Sequence, residues 1–260
     1  MIRFGPAGLG GVKEAEANLE RFAKLGLTAC EIAFTYGVYI HEKDAVRIRK
    51  AAAKLGIKLT IHAPYYINLN SQEKKKIEDS KKRILDCLKI GQLLGAELVV
   101  FHPGFYGKMN KEETFQNIKK AVSEIETERK KLGIKTTLAA ETTGKKNVFG
   151  SVDEILKLVK ETGIRFCIDF AHIKAVLGQN RISYKEIISR FSGLLHIHFS
   201  GIEFGDKGEK RHVLTDDNEL KEMIKSLPFD REITIINESP GPVEDSVKTG
   251  RILKEQNRIS

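Results

Sequence analysis

The chain has 260 residues, 41% hydrophobic and 30% charged, with no tryptophan. That is the make-up of an ordinary soluble globular protein, and no apolar run approaches the ~20 residues that a membrane helix needs. Its 44 basic against 35 acidic residues give a net charge of +9, which suits a polyanion such as DNA because phosphate contacts release counterions; a solvated surface leaning basic explains the charge equally well.

Cys30, Cys87 and Cys167 are widely spaced, odd in number and form no Cys-x-x-Cys pair. Buried free thiols in a reducing compartment are expected. The opening MIRFGPAGLGG has neither the basic start nor the long apolar core of a secretory signal, so the chain reads as cytoplasmic.

Short apolar runs alternate with amphipathic Lys/Glu-rich stretches along the whole length. The pattern predicts strands at 2–5, 29–34, 58–62, 97–102, 136–141, 165–169, 194–198 and 232–238. Helices are predicted near 13–25, 44–54, 73–94, 112–132, 152–162, 183–191, 217–226 and 243–256. Eight strand–helix units of roughly 30 residues predict an α/β fold, a single (β/α)8 TIM barrel in one domain spanning 1–260. Gly26, Gly56, Gly95, Gly133 and Gly163 each stand between a helical stretch and the next strand, where a left-handed cap is expected. Ser151 and Glu154 have capping-box spacing.

Side chains alternate across a strand. Leu98, Val100 and His102 are therefore expected to face the barrel interior, as are Thr137, Ala139 and Glu141. Phe166 and Ile168 face the helices, which leaves Asp169 pointing inward.

Six consecutive strands end in potential metal ligands: His62, His102, Glu141, Asp169, His198 and Glu238. The C-terminal strand ends of a parallel barrel form its active-site face, so all six converge on one mouth. One such residue is usually a satisfied polar group; six in order are hard to reach by chance. Clustered carboxylates repel and resist desolvation unless cations neutralise them. Imidazole and carboxylate suit zinc, and also manganese or iron. His172, in the loop leaving strand six, and His212, in the loop after strand seven, are placed to hold a further ion. His41 and His196 read as structural.

These residues carry a resemblance. FGPAG, HAPYYINL, FHPG, AAETTG, CIDFAH and NESP, in this order, resemble the endonuclease IV family of apurinic/apyrimidinic endonucleases within the xylose-isomerase-like barrels. The resemblance covers nearly the whole chain. It implies a monomer that cleaves double-stranded DNA 5′ to an abasic site, leaving a 3′-hydroxyl and a 5′-deoxyribose phosphate. It implies two to three divalent ions, most simply zinc. His62, His102 and Glu141 would hold one, with Glu141 bridging to a second. Asp169, His198 and Glu238 would complete the second, and His172 and His212 would serve the third. Glu141 and Glu238 are the expected catalytic carboxylates. Tyr65 and Tyr66 match positions that enter the duplex at the lesion, and Tyr36 and Tyr39 stand where relatives often carry a penetrating basic residue.

Two departures from the family pattern stand out, the first bearing on the third ion. Lys210 stands where the family carries an Asp ligand, leaving Glu209 as the nearest carboxylate. Ser200 and Gly201 replace an Asn-Asp pair after the strand-seven histidine, which is expected to disturb the support of the ligands. A sugar isomerase or epimerase on the same barrel is the competing reading, since Glu141, Asp169, His198 and Glu238 alone would satisfy its single metal. The four additional histidines and the basic charge favour the nuclease.

Overall fold

The computed structural model describes residues 1–259. Eight parallel strands form one sheet: β1 (Ile2–Pro6), β2 (Ala29–Ala33), β3 (Lys58–His62), β4 (Leu98–Phe101), β5 (Thr137–Glu141), β6 (Arg165–Asp169), β7 (Leu195–Phe199) and β10 (Ile233–Asn237). Their order is β1-β10-β7-β6-β5-β4-β3-β2. The two ends of that order meet, because Gly8 N–H donates to the Glu31 carbonyl at 2.8 Å and Thr28 N–H to that of Phe4 at 3.0 Å. A Cβ on Gly5 would stand 1.7 Å from the Ala29 carbonyl oxygen, so only glycine lets β1 close against β2 there.

The outward faces of the strands are apolar, as strands under a layer of helices are, while the lumen mixes apolar residues with buried polar ones such as Glu31, Thr60 and His196. Outward residues such as Ile61, Val99, Phe101, Phe166, Ile168 and Ile197 join the large core against the helices. Leu98, Val100, Ala139 and Cys167 form a separate small cluster in the lumen, in the parity expected from the sequence. The surrounding helices are α1 (Ala15–Lys24), α2 (Glu42–Lys54), α3 (Lys74–Leu94), α4 (Lys111–Lys131), α5 (Val152–Thr162), α7 (Tyr184–Ser189), α8 (Asp217–Lys225) and α9 (Pro242–Glu255). The capping box of α5 is present: the Ser151 hydroxyl accepts from Glu154 N–H while the Glu154 carboxylate accepts from Ser151 N–H. All three cysteines are buried free thiols. Among the described residues no helix is long and apolar enough to cross a membrane.

Two segments expected as loops are regular. Residues Phe170–Leu177 form a short helix, α6, directly off β6. Its buried face is too apolar to show amphipathic periodicity. Residues Gly201–Gly205 and Gly208–Val213 form an antiparallel hairpin, β8–β9, with a bulge between Glu203 and Phe204. Charged side chains on its exposed face mask the alternation that marks a strand. His172 therefore lies on a helix and His212 on a strand.

Candidate active site

The cluster at the barrel mouth is organised around Glu141, which ends β5 with no solvent exposure. Its Oε2 lies 2.9 Å from His62 Nε2 and 3.3 Å from His102 Nε2. Its Oε1 lies 3.2 Å from His198 Nδ1 and 3.3 Å from His172 Nδ1. One carboxylate thus divides its two oxygens between two pairs of imidazoles. Glu238, just beyond β10, places Oε1 3.3 Å from His198 Nδ1.

Asp169 joins two elements. It ends β6 and caps α6, its Oδ1 accepting from His172 N–H at 2.7 Å. That cap turns Oδ2 into the site, where it is buried and has no hydrogen-bond partner. The cap also orients the first turn of α6, so His172 Nδ1 meets Asp169 Oδ2 at 3.4 Å. Glu209, on β9, reaches both of the remaining histidines: His172 Nε2 at 3.5 Å and His212 Nε2 at 3.6 Å.

Backbone and hydroxyl partners hold several rings. His62 Nδ1 meets the Ala63 carbonyl at 2.8 Å, which leaves Nε2 for Glu141. Ser200 Oγ lies 2.7 Å from His212 Nδ1, which leaves Nε2 facing Glu209. The Ser200 hydroxyl thus holds the His212 ring.

Charge is shared closely. Burial opposes charging His62, but the hydrogen bond and charge of Glu141 outweigh it and raise its pKa to about 9. Burial likewise opposes His172, and the nearby Asp169 and Glu141 raise it to about 10. For His102 burial prevails and lowers it to about 4. Burial raises the Asp169 carboxyl to about 6, against the pull of His172 and His212. Glu141 stays well below the usual range despite burial, because the charges of His102 and His198 face it.

Among the described residues, four groups of side chains bring potential ligand atoms within 4.8 Å of one another. Three lie at the mouth: His62, His102 and Glu141; Glu141, Asp169, His198 and Glu238; and Asp169, His172 and His212. The fourth, Cys167, His196 and His198, lies deeper. The buried, unpartnered Asp169 Oδ2 and the acid–imidazole donor set fit divalent cations, which would take the place of the protons now shared within the cluster. All eight ligand candidates named from the sequence thus come together, with Glu209 beside them.

The cleft above the cluster has a volume of about 580 Å³ and is lined by His62, Tyr65, Phe105, Lys145, Glu209 and Glu238 among others. Tyr36, Tyr65 and Tyr66 are 80%, 67% and 59% exposed, so they do not pack beneath a helix. Tyr36 and Tyr66 stand with ring centroids 6.4 Å apart. Tyr39 differs: it is half-buried, edge-on to Phe34 at 5.2 Å.

Glu31 is a site residue that sequence reasoning missed. It sits mid-β2 with no exposure, 2.9 Å from His198 Nε2 and 3.0 Å from His196 Nε2. No motif marks it, although an acid at an inward position between Ala29 and Ala33 is a signal in plain view. His196, expected to be structural, is buried and paired with this acid.

Known proteins share this fold and parts of its sequence. The family model for the xylose isomerase-like TIM barrel matches residues 19–255. An uncharacterized protein of Methanocaldococcus jannaschii is 38% identical over 263 residues, covering 95% of each chain. A probable endonuclease 4 of Carboxydothermus hydrogenoformans is 28% identical over 77% of each chain. Another, of Thermoplasma volcanium, is 29% identical over 60% of this chain and 55% of its own. Among solved structures, SacUVDE superposes with a TM-score of 0.79 at 18% identity over the full length of both chains. Endonuclease IV of Thermus thermophilus gives 0.69 at 22%, covering 97% of this chain and 99% of its own. A D-tagatose 3-epimerase-like protein gives 0.72 at 22%, covering 97% and 96%. The structural likenesses, all at low identity, speak for the fold alone. The family match spans nearly all of the barrel and its strand-end residues, and the chain belongs to the xylose isomerase-like TIM-barrel family.

Proposed function

We propose that this protein is a metal-dependent endonuclease that hydrolyses the DNA backbone 5′ to abasic sites, leaving a 3′-hydroxyl and a 5′-deoxyribose phosphate. The observation that carries this reading is the sharing of Glu141 between two ligand groups, with a third group beside them. A single-metal sugar enzyme needs only Glu141, Asp169, His198 and Glu238. It has no use for His62, His102, His172 and His212 turned toward the same carboxylates. The similarity to proteins named probable endonuclease 4 supports the same reading.

In this reading His62, His102 and Glu141 hold one ion, and Glu141, Asp169, His198 and Glu238 a second. Asp169, His172 and His212 hold a third, with Glu209 standing in for the carboxylate lost at Lys210. When bound, divalent ions, zinc foremost, supply positive charge to a phosphodiester and acidify water toward neutral pH. The protein's own residues do the remainder. Glu141 sets the spacing of the centre through its divided oxygens. Glu238, less buried than Glu141 and lining the cleft, presents a carboxylate toward substrate. Tyr65 and Tyr66 offer rings that can stack in the gap left by a missing base, where each base–aromatic stack contributes about 1–3 kcal/mol. Tyr36, beside Tyr66, extends that surface, and Tyr39 is a further candidate DNA contact. The enzyme acts as a single-domain, cytoplasmic monomer.

The test is a labelled duplex carrying one abasic-site analogue resistant to β-elimination, alongside metal analysis of the purified protein. Single-strand cleavage 5′ to the lesion, lost on chelation, with about two to three ions per chain, is expected. The epimerase reading has one observation in its favour, the complete four-residue group Glu141, Asp169, His198 and Glu238. About one ion per chain, no cleavage and turnover of a ketose would establish it instead.

A further inference from the structure

We propose that the lip of the cleft formed by residues 103–109, 143–150 and 205–210 is a preformed platform for the phosphodiester backbone of the bound strand, with Lys145 at its inner edge and Lys108, Lys146 and Lys207 around it. The inference rests on the DNA reading above and adds to it a surface that grips the strand outside the metal centre.

Three segments distant in sequence make up this lip. They follow β4, β5 and β7, and backbone hydrogen bonds join them edge to edge. Glu209 N–H donates to the Gly144 carbonyl at 2.7 Å and Lys146 N–H to that of Lys207 at 3.3 Å. On the other side Phe149 N–H donates to the Gly104 carbonyl at 3.0 Å and Tyr106 N–H to that of Asn147 at 3.3 Å. The Asn70 side chain holds the outer segment as well, donating to the carbonyls of Phe105 at 2.9 Å and Tyr106 at 3.2 Å. Loops tied in this way lose little further freedom when a ligand settles on them, which is the advantage of preorganisation.

The charge on the lip is one-sided. Lys108, Lys145, Lys146 and Lys207 are all exposed. On the helices many lysines pair with acids, as Lys76 does with Glu73, Lys81 with Glu78 and Lys119 with Glu161; among the described residues none of these four does. Residues 103–109 and 143–150 contain no acid. Of the acids in 205–210, Glu209 is turned inward to His172 and His212, which leaves Asp206 alone among the lysines. Lys210 is set apart from the platform, because its chain lies along Gly205, where a Cβ would stand 2.8 Å from its Cε.

Lys145 and Phe105 line the same cleft as Tyr65 and Glu238, so the lip continues the proposed site. The strand order β7-β6-β5-β4-β3-β2 sets the tyrosine-bearing loops after β3 and β2 next to the loop after β4. Aromatic rings and lysines therefore succeed one another around the mouth. Like charges held together repel. A nucleic-acid strand, with a phosphate every ~3.4 Å, offsets that repulsion and releases its counterions on contact. A plain solubility role fits less well, because solubility is served by both signs interspersed over the surface, not by unpaired lysines gathered at the rim of this cleft.

The experiment measures fluorescence anisotropy of a labelled abasic duplex with a non-hydrolysable linkage at the scissile position, bound to the zinc-loaded protein over a series of salt concentrations. Wild-type affinity is expected to fall with salt. The variant Lys145→Gln/Lys146→Gln/Lys207→Gln is expected to fall less steeply, its log–log slope smaller by about 2–3, at roughly 0.9 per phosphate contact. A control, Lys24→Gln/Lys54→Gln/Lys130→Gln, removes the same charge from the last turns of α1, α2 and α4, at the end of the barrel away from the mouth. Its slope is expected to stay within about 1 of wild type. Equal losses in both variants overturn the proposal, because net charge alone then explains the binding. So does an unchanged slope in a folded lip variant. If the lip variant does not fold, Lys145→Gln and Lys207→Gln singly, each expected to lower the slope by about 1, decide. A wild-type protein that does not bind the duplex removes the DNA reading and this inference together; lesion-specific binding with a slope indifferent to the lip removes this inference only.

Discussion

Glu141 faces four imidazole nitrogens within 3.3 Å of its two oxygens in a fully buried position. Replacing it with glutamine keeps the volume but removes the charge, and leaves a single carbonyl oxygen where two carboxylate oxygens would be offered to cations. Glu141→Gln is expected to fold normally yet lose turnover by at least about 100-fold, the scale for losing one preorganised electrostatic contact. Circular dichroism and steady-state cleavage of the abasic duplex check this; full activity with normal metal content would falsify the assignment. Gly144 tests the third group from a different side. A Cβ there would stand 2.7 Å from both Glu209 Oε2 and His172 Cδ2. Gly144→Ala should displace Glu209 and lower the zinc count by about one ion while the fold stands. Metal analysis after gel filtration reads the outcome.

The elements explain why these residues meet. Asp169 serves as strand end and helix cap at once, so one residue orients both itself and His172. The β8–β9 hairpin brings Glu209 and His212 over the mouth, and it docks through Gly208. That glycine has a φ of 99°, and any Cβ on it would stand 2.2 Å from the Gly144 carbonyl oxygen, so no side chain fits. Gly208→Val is expected to undock the hairpin, so the third ion is lost before the other two; zinc titration followed by calorimetry separates the classes of site. Far from the mouth, the capping box of α5 gives a calibration of stability without chemistry. Ser151→Ala should cost about 1 kcal/mol, the usual loss for a helix N-cap, seen as a lower denaturant midpoint with unchanged slope and unchanged cleavage.

For the molecule as a whole, the barrel ring holds several acids and imidazoles in a small volume, and cations bound there would link folding to metal. A ligand present at about 100 times its dissociation constant stabilises the native state by about 2.7 kcal/mol. Chelation should therefore lower the melting temperature, and zinc should restore it; identical melting curves with and without chelator would count against a resident metal. Much of this was legible in the chain. Periodicity predicts eight strands and a barrel because each strand must alternate between lumen and helix layer, and that constraint is local. His62, His102, Glu141, Asp169, His198 and Glu238 stand out because each ends an apolar run, and chain order alone carries such runs to one face. The hairpin and α6 are less legible: one has a solvated face that hides alternation, the other is too buried to be amphipathic. Glu31 is the least legible, since nothing near it in sequence says which donor it answers to. Sequence by itself determined the barrel, its mouth and the chemical type of the residues there, because those follow from patterns a few residues long. Tertiary structure alone decided that Glu209 reaches His172 and His212, that Ser200 holds His212, and that Glu31 meets His198 across the lumen. Those contacts join residues as distant in sequence as Glu31 and His198, and only closure of the ring brings that pair to 2.9 Å.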